Sequence, residues 1–147
     1  MYFDVKYEKI KRNWKRFEDE NAKIFENFDY EISRDVRFKT NRRFQIDFIA
    51  YDKNRRFFVD CKDHLYIPPK KEDQFANMQS IRAENFIDKE RLLDGKKNFI
   101  LLVTRNKTNS LILHNPGNGK ILSVDYLSLP LLLRDINKYE DELLSLE

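Results

Sequence analysis

Glycine, cysteine and histidine are scarce in this 147-residue chain, and each scarcity removes a class of chemistry. Three glycines (Gly95, Gly117 and Gly119) cannot build a phosphate-cradling loop or a dinucleotide-binding fingerprint. The single cysteine, Cys61, excludes an intrachain disulfide and a paired-cysteine zinc site. The two histidines, His64 and His114, lack the spacing of a helical zinc-protease motif. There is no apolar signal region at the N-terminus and no apolar run of membrane-spanning length. The expectation is therefore a cytoplasmic protein with no membrane partner.

What remains is ample for one globular domain spanning 1–147. Hydrophobic residues make up 41% and aromatics 14%, enough to bury a core without staples. Charged residues reach 36%, which calls for a heavily solvated surface. The net charge is only +3, so its distribution matters more than its total. Lys9, Lys11, Arg12, Lys15 and Arg16, then Arg34, Arg37, Lys39, Arg42, Arg43, Arg55 and Arg56, crowd the first half, whereas the last thirteen residues are acidic. This segregation suits either a phosphate-backbone footprint or an ordinary solvated face.

Hydrophobic periodicity predicts a first helix over 4–27, with Ile10, Trp14, Phe17, Ile24 and Phe28 on one stripe and Asn21 its one polar member. Strands follow over 30–38, 44–51 and 56–64, separated by a basic turn at Thr40-Asn41 and by Asp52-Lys53-Asn54. Pro68-Pro69 should stop regular structure, leaving Lys70 and Lys71 in a loop. A second helix is expected over 73–94, capped by Gly95. The apolar run from Asn98 to Thr104 reads as a strand covered on both faces. Residues 111–113 and 120–124 flank the turn 115–119 as a hairpin. One last helix begins near Ser128, with Pro130 in its first turn and Leu132, Leu133, Ile136, Leu143 and Leu144 on it. The fold class is α/β: a mixed sheet, antiparallel meander plus crossover strand, flanked by helices.

Alternation along the third strand puts Phe57, Val59 and Cys61 on one face and Phe58, Asp60, Lys62 and His64 on the other. In the second strand it puts Phe44, Ile46, Phe48 and Ala50 together, opposite Gln45, Asp47, Ile49 and Tyr51. Asp47 and Asp60 are thus carboxylates on strands apolar on both faces, and burying either alone costs several kcal/mol. Two arrangements satisfy them: a structural ion pair of Lys62 with Asp60 or Asp47, or two carboxylates around a divalent cation with a lysine nearby. On the second helix, Phe75, Phe86 and Leu93 define the apolar stripe, with Arg82 near its middle and Gln79 on its shoulder. A core-facing guanidinium needs an anion, either one of these carboxylates or a phosphate, unless its stem snorkels outward. Cys61 and His64 carry no expected role beyond packing.

Asp47, followed on the next strand by Asp60-Cys61-Lys62, resembles the PD-(D/E)XK nuclease superfamily. More closely, Ile46-Asp47-Phe48-Ile49-Ala50 and Val59-Asp60-Cys61-Lys62-Asp63-His64 resemble small archaeal restriction-endonuclease-like proteins, with Holliday-junction resolvases more distant. Gln79-Ser80-Ile81-Arg82 matches polar positions on the helix after the active-site strand, and 121–133 fits the strand–helix close of such proteins. Two departures stand out. Asp60 occupies a position where Glu is more usual, and Gln45-Ile46-Asp47 stands where relatives often have Glu-Ile-Asp. Neither removes a required functional group.

The resemblance implies a restriction-endonuclease-like fold and a Mg²⁺-dependent (or Mn²⁺-dependent) deoxyribonuclease, structure-guided or weakly sequence-specific. Asp47 and Asp60 would ligate the metal with the Cys61 backbone carbonyl. Lys62 would activate water, and Gln79 and Arg82 would hold the scissile phosphate or the acids. A further acid is expected from the first helix. The Phe17-Glu18 pattern, with Ala22 and Phe25 after it, selects Glu18, acting through water, with Glu20 as the alternative. Arg12, Arg16, Lys39, Arg42, Arg43, Lys70 and Lys71 would track DNA phosphates. Expected partners are DNA, a second copy in a homodimer, and a protein that supplies specificity. The alternative is a nuclease-like module that binds nucleic acid, or assembles with it, without turnover.

Overall fold

The computed structural model describes residues 2–64, 66–105, 112–114 and 120–144, with side chains within 14–64, 66–105 and 120–140. The chain runs α1 (Tyr2–Asn27), β1 (Glu31–Lys39), β2 (Arg43–Tyr51), β3 (Arg55–Lys62), α2 (Pro69–Glu90), β4 (Lys97–Thr104), β5 (Ile112–His114), β6 (Ile121–Asp125), α3 (Leu129–Arg134) and α4 (Ile136–Leu144). One six-stranded sheet has the order β1-β2-β3-β4-β6-β5. β1, β2 and β3 form an antiparallel meander, α2 crosses over to place β4 parallel to β3, and β6 lies parallel to β4 with β5 antiparallel on the far edge. This is the expected α/β architecture. The tip of the β5–β6 hairpin, 115–119, and the side chains of Ile10, Arg12, His114, Leu143 and Leu144 lie outside the described residues. No described helix is long and apolar enough to cross a membrane.

The sheet separates two apolar layers. On one face, Phe17, Ala22 and Phe25 of α1 and Leu132, Leu133 and Ile136 of the C-terminal helices pack on Phe48, Ala50, Phe57, Val59, Phe99, Leu101 and Val103. On the other, Ala83 of α2, with Ile81, Phe86 and Ile87, packs on Phe38, Phe44, Ile46, Ile49 and Phe58. β4 thus contributes to both layers, as its continuous apolar run requires. Arg55 joins Glu140 at 2.7 Å and ties α4 to the edge of β3.

Several elements differ from the sequence expectation. Of the expected α1 stripe within the described side chains, Phe17, Asn21, Ile24 and Phe28 do turn inward, joined by Ala22 and Phe25, whereas Trp14 is 48% exposed. Pro69 does not end structure but opens α2 at its first turn, where the missing N–H is no loss; the Pro68 carbonyl accepts from the Glu72 N–H at 2.9 Å. Lys70 and Lys71 therefore stand on the first turn of a helix. The stripe α2 buries is Glu72, Ala76, Gln79, Ser80 and Ala83, small and polar, while Phe75 and Phe86 flank it; Leu93 lies beyond the helix and is 94% exposed. The final helix is two helices, broken at Asp135.

α1 and α2 end in the same way. Asp29 and Arg91 adopt left-handed φ of 68° and 47°. The Tyr30 and Leu92 N–H groups bond back to the carbonyls of Phe25 and Ile87, and those of Asp29 and Arg91 to Glu26 and Asp88. This is the Schellman arrangement, sealed at α1 by the edge-to-face contact of Tyr30 with Phe25. Gly95, expected as the α2 cap, instead uses its φ of 76° in the turn leading to β4. A left-handed Asp is strained relative to glycine. Asp29→Gly is therefore expected to raise unfolding stability by about 0.5–1 kcal/mol in a urea titration; a fall would show that the Asp29 side chain supports the cap.

Candidate functional site

β2 and β3 part company at their outer ends. Their ladder runs from Tyr51↔Arg56 to Phe48↔Val59 and goes no further, while β3 stays paired to β4 as far as Lys62↔Thr104. The fork exposes the end of β3 carrying Asp60, Cys61 and Lys62. Where the next ladder bond would fall, the Cys61 N–H instead donates to Asp47 Oδ2 at 2.8 Å. A side-chain carboxylate thus replaces a strand carbonyl.

A change of phase in the meander aims Asp47 into the fork. Phe44 and Ile46 pack in the α2-side layer with Ile49, whereas Phe48 and Ala50 pack in the α1-side layer. Strict alternation, as expected from sequence, would keep 44, 46, 48 and 50 together. β1 changes phase beside it: Ile32 reaches the α1 side, Val36 and Phe38 the α2 side. Between them Asp35 takes a left-handed φ of 49°. Both strands turn over at the 35/47 level, and Asp47 belongs to neither layer. On β3 the alternation holds: Phe57, Val59 and Cys61 join the α1-side layer and Phe58 the other.

Three clefts meet at the fork, and Asp47 lines all of them. One of about 340 Å³ is walled by Arg42, Arg43, Gln45, Asp60, Lys62, Met78 and Arg82. Another, of about 220 Å³, brings Asp47, Asp60 and Lys62 together with Glu18, Trp14 and His64. The largest, about 560 Å³, lies between α1 and the turned-over strands, with Trp14, Glu18, Arg34 and Gln45 on its walls. The side chains of 47, 60 and 62 therefore converge, and Glu18 is the helix acid that joins them. Glu20 is exposed and lines none of the three clefts.

The electrostatics follow from two carboxylates side by side in a partly buried place. Burial pushes Asp47 up to about 8, with the facing Asp60 adding to the shift and the Cys61 N–H opposing it. Burial also raises Glu18, against the pull of Arg34. The Cys61 thiol is held well above its ordinary range by burial and by the same three acids, which suits a packing residue and not a nucleophile. Lys62 Nζ stands 3.4 Å from Asp60 Oδ2 and Arg82 Nη1 3.7 Å from it. Neither makes a hydrogen bond, so the buried Oδ2 of Asp60 lacks a hydrogen-bond partner. Arg82 Nη1 donates weakly to Gln79 Oε1 at 3.4 Å, and the fully buried Gln79 Nε2 is also without a partner. The Lys62 ammonium lies 4.6 Å from the centre of the Phe75 ring, and His64 stacks on the same ring.

Among the described residues, no three His, Cys, Asp or Glu side chains converge as a ready-made metal cage. The donor set is two carboxylates, with Glu18 further along the cleft. That set suits Mg²⁺, which keeps several waters and takes one or two protein carboxylates. The burial that raises Asp47 and the charge of Asp60 beside it are what a cation would offset.

Of the expected phosphate contacts, Arg42 and Arg43 reach the cleft that holds Asp47 and Asp60. Lys39 lines a neighbouring cleft with Arg37 and Arg43. Lys71 sits 5.9 Å from the Phe75 ring centre, and Lys70 and Arg16 are exposed without lining these clefts. Sequence reasoning missed Trp14, Arg34, Gln45 and Met78. Trp14 precedes Glu18 by one helical turn and Gln45 precedes Asp47 by two residues, signals that were available. Arg105 was also missed: it pairs with Asp63 and lies against the Phe17 and Tyr126 rings, while its N–H bonds the Lys62 carbonyl at 3.2 Å. It fixes the end of β3.

No family model matches the chain, and no curated protein matches it. Among solved structures, the chain is similar to one titled Crystal Structure of Protein of Unknown Function AF1548. The two share 22% identity at a TM-score of 0.43, and the match covers 58% of this chain and 43% of that one, less than half its length.

Proposed function

We propose that the protein is a divalent-metal-dependent nuclease that hydrolyses DNA phosphodiester bonds at the β2–β3 fork. One observation carries this reading: Asp47 and Asp60 face one another in a partly buried cleft, Asp47 raised to about 8 by burial and by its neighbour Asp60, with Lys62 3.4 Å and Arg82 3.7 Å from Asp60. The resemblance of Asp47 and Asp60-Cys61-Lys62 to the PD-(D/E)XK pattern supports the same roles.

In this reading Asp47 and Asp60 hold Mg²⁺ or Mn²⁺, with the Cys61 carbonyl and a water-mediated contact from Glu18. The ion supplies charge neutralisation at the scissile phosphate. Lys62 orients the attacking water, takes part in moving its proton and offsets charge on the phosphoryl oxygens. Its stacking on Phe75 limits the directions it can take. Arg82, braced by Gln79, restrains Asp60 and turns to the phosphate when substrate enters. Arg42 and Arg43 give backbone affinity without sequence choice. DNA is then the partner and the cytoplasm the compartment. A second copy or a specificity-providing protein would be needed for concerted double-strand cutting.

A second reading, a nuclease-like module that binds DNA without turnover, draws on Lys62 and Arg82 already lying against Asp60. Calorimetry and plasmid nicking separate the two. The enzyme binds Mn²⁺ and nicks only with metal; Asp60→Asn abolishes both, and Lys62→Ala lowers the nicking rate at least ~100-fold while Mn²⁺ affinity stays. A protein that retains DNA affinity in Asp60→Asn and never cuts is the binding module.

The raised Asp47 gives a pH signature. Its folded value lies above the unfolded one, so its protonated form stabilises the apo fold fully below about pH 4. That contribution fades as pH climbs through the window up to about 8. Metal must displace the same proton, so Mn²⁺ affinity should rise across that window. In thermal scans Asp47→Asn should flatten the alkaline loss of apo stability and abolish the Mn²⁺-induced gain. A mutant that keeps the wild-type slope contradicts the assignment.

A further inference from the structure

Nearly all the large aromatic side chains described here serve the two layers or their margins, and Trp14 does not. It is 48% exposed, stands one helical turn before Glu18, and lines both clefts that Glu18 shares with Asp47. On the opposite side of the carboxylates, Met78, also exposed, lines the cleft of Arg42, Arg43 and Arg82. The acids thus lie between an exposed indole from α1 and an exposed thioether from α2, which line different clefts of the fork, with Phe44 adding apolar surface on the Met78 side.

A duplex backbone offers such a cleft only phosphates and sugars, for which exposed indole and thioether surfaces have no use. An unpaired nucleotide offers a phosphate and a flat π-face together. We propose that Trp14 is a stacking platform for an unpaired base beside the carboxylate cleft, so that the chain selects single-stranded or splayed DNA over intact duplex. This deepens the nuclease reading, and rests on it only in naming which phosphate lies between the acids. Arg42 and Arg43 on the α2 side supply cations to one flank of the stacked base; on the other, Lys15 and Arg34, the latter paired with Asp19, share the Trp14 cleft with Glu18, Asp19, Asp35 and Asp47. Met78 offers the neighbouring base an adaptable apolar contact.

The chain contains a single tryptophan, so its emission reports this contact alone. The test is titration of the full chain, without divalent metal and at fixed salt, with oligothymidylate and with a blunt hairpin duplex of equal phosphate number. Saturable quenching by the single strand, and much weaker quenching by the hairpin, is expected. By anisotropy of labelled DNA, Trp14→Ala should weaken single-strand binding about 5- to 150-fold, the worth of one stacked base, and leave hairpin binding within about twofold. Trp14→Phe should recover most of the loss. Because Trp14 is exposed, the circular dichroism spectrum should match the wild type, and Trp14→Phe covers the case in which Trp14→Ala does not fold. Equal quenching by both DNAs, unchanged single-strand affinity in Trp14→Ala, or no DNA binding at all would overturn the proposal. Cleavage of single-stranded DNA at the same rate by wild type and Trp14→Ala would overturn it and leave the nuclease intact. Single-strand binding that depends on Trp14 in a protein that never cuts would keep this inference and sink the nuclease.

Discussion

Two carboxylates forced side by side repel, and the arrangement around Asp47 and Asp60 is the constraint to which the rest of the site answers. The Cys61 N–H holds Asp47 in place at 2.8 Å, and Asp60 is buried on the α2 side with its oxygen facing Lys62 and Arg82. The fold thus holds Asp47 far from its ordinary carboxylate range, a pattern characteristic of functional sites more than of cores.

The conflict is sustained by features well away from the two acids. β2 can present Asp47 to the fork only because the β1–β2 ribbon turns over at Asp35, in a left-handed conformation that few non-glycine residues adopt. β3 can open toward β2 only because β4 holds its other edge, and because Arg105, seated against Phe17 and Tyr126, secures the Lys62 carbonyl. α2 brings Gln79 and Arg82 within reach because Ala76 and Ala83 let the helix lie close to the sheet. The two halves of the sheet thus perform different work: β4 and β6 build the packed base, while the meander builds the opening.

Much of this was legible in the order of residues. The antiparallel meander and the crossover to β4 follow from turn spacing and from one continuous apolar run. The facing of Asp60 and Lys62, away from Cys61, follows from a period of two that β3 obeys. The phase change at Asp47 was not legible, because it is caused by the backbone of a residue on another strand. The buried stripe of α2 is not legible from its large apolar residues, which do not mark its interior. Against a nearby sheet the centre goes to alanine and a buried glutamine, and Phe75 and Phe86 move to the flanks. Trp14 shares the helical spacing of the α1 stripe, yet it stands exposed one turn before Phe17 and Glu18. Pro69 was read as a breaker when its place was the opening turn of a helix.

The central claim is that Asp47 and Asp60 share one cleft with room for a cation. Carbon-13 NMR of aspartate side chains, titrated with and without Mg²⁺, tests it most directly. Asp47 should titrate far above an ordinary carboxyl in the metal-free protein, near 8, and fall by several units when Mg²⁺ is added. An Asp47 that titrates in the ordinary carboxylate range and ignores Mg²⁺ would contradict the account.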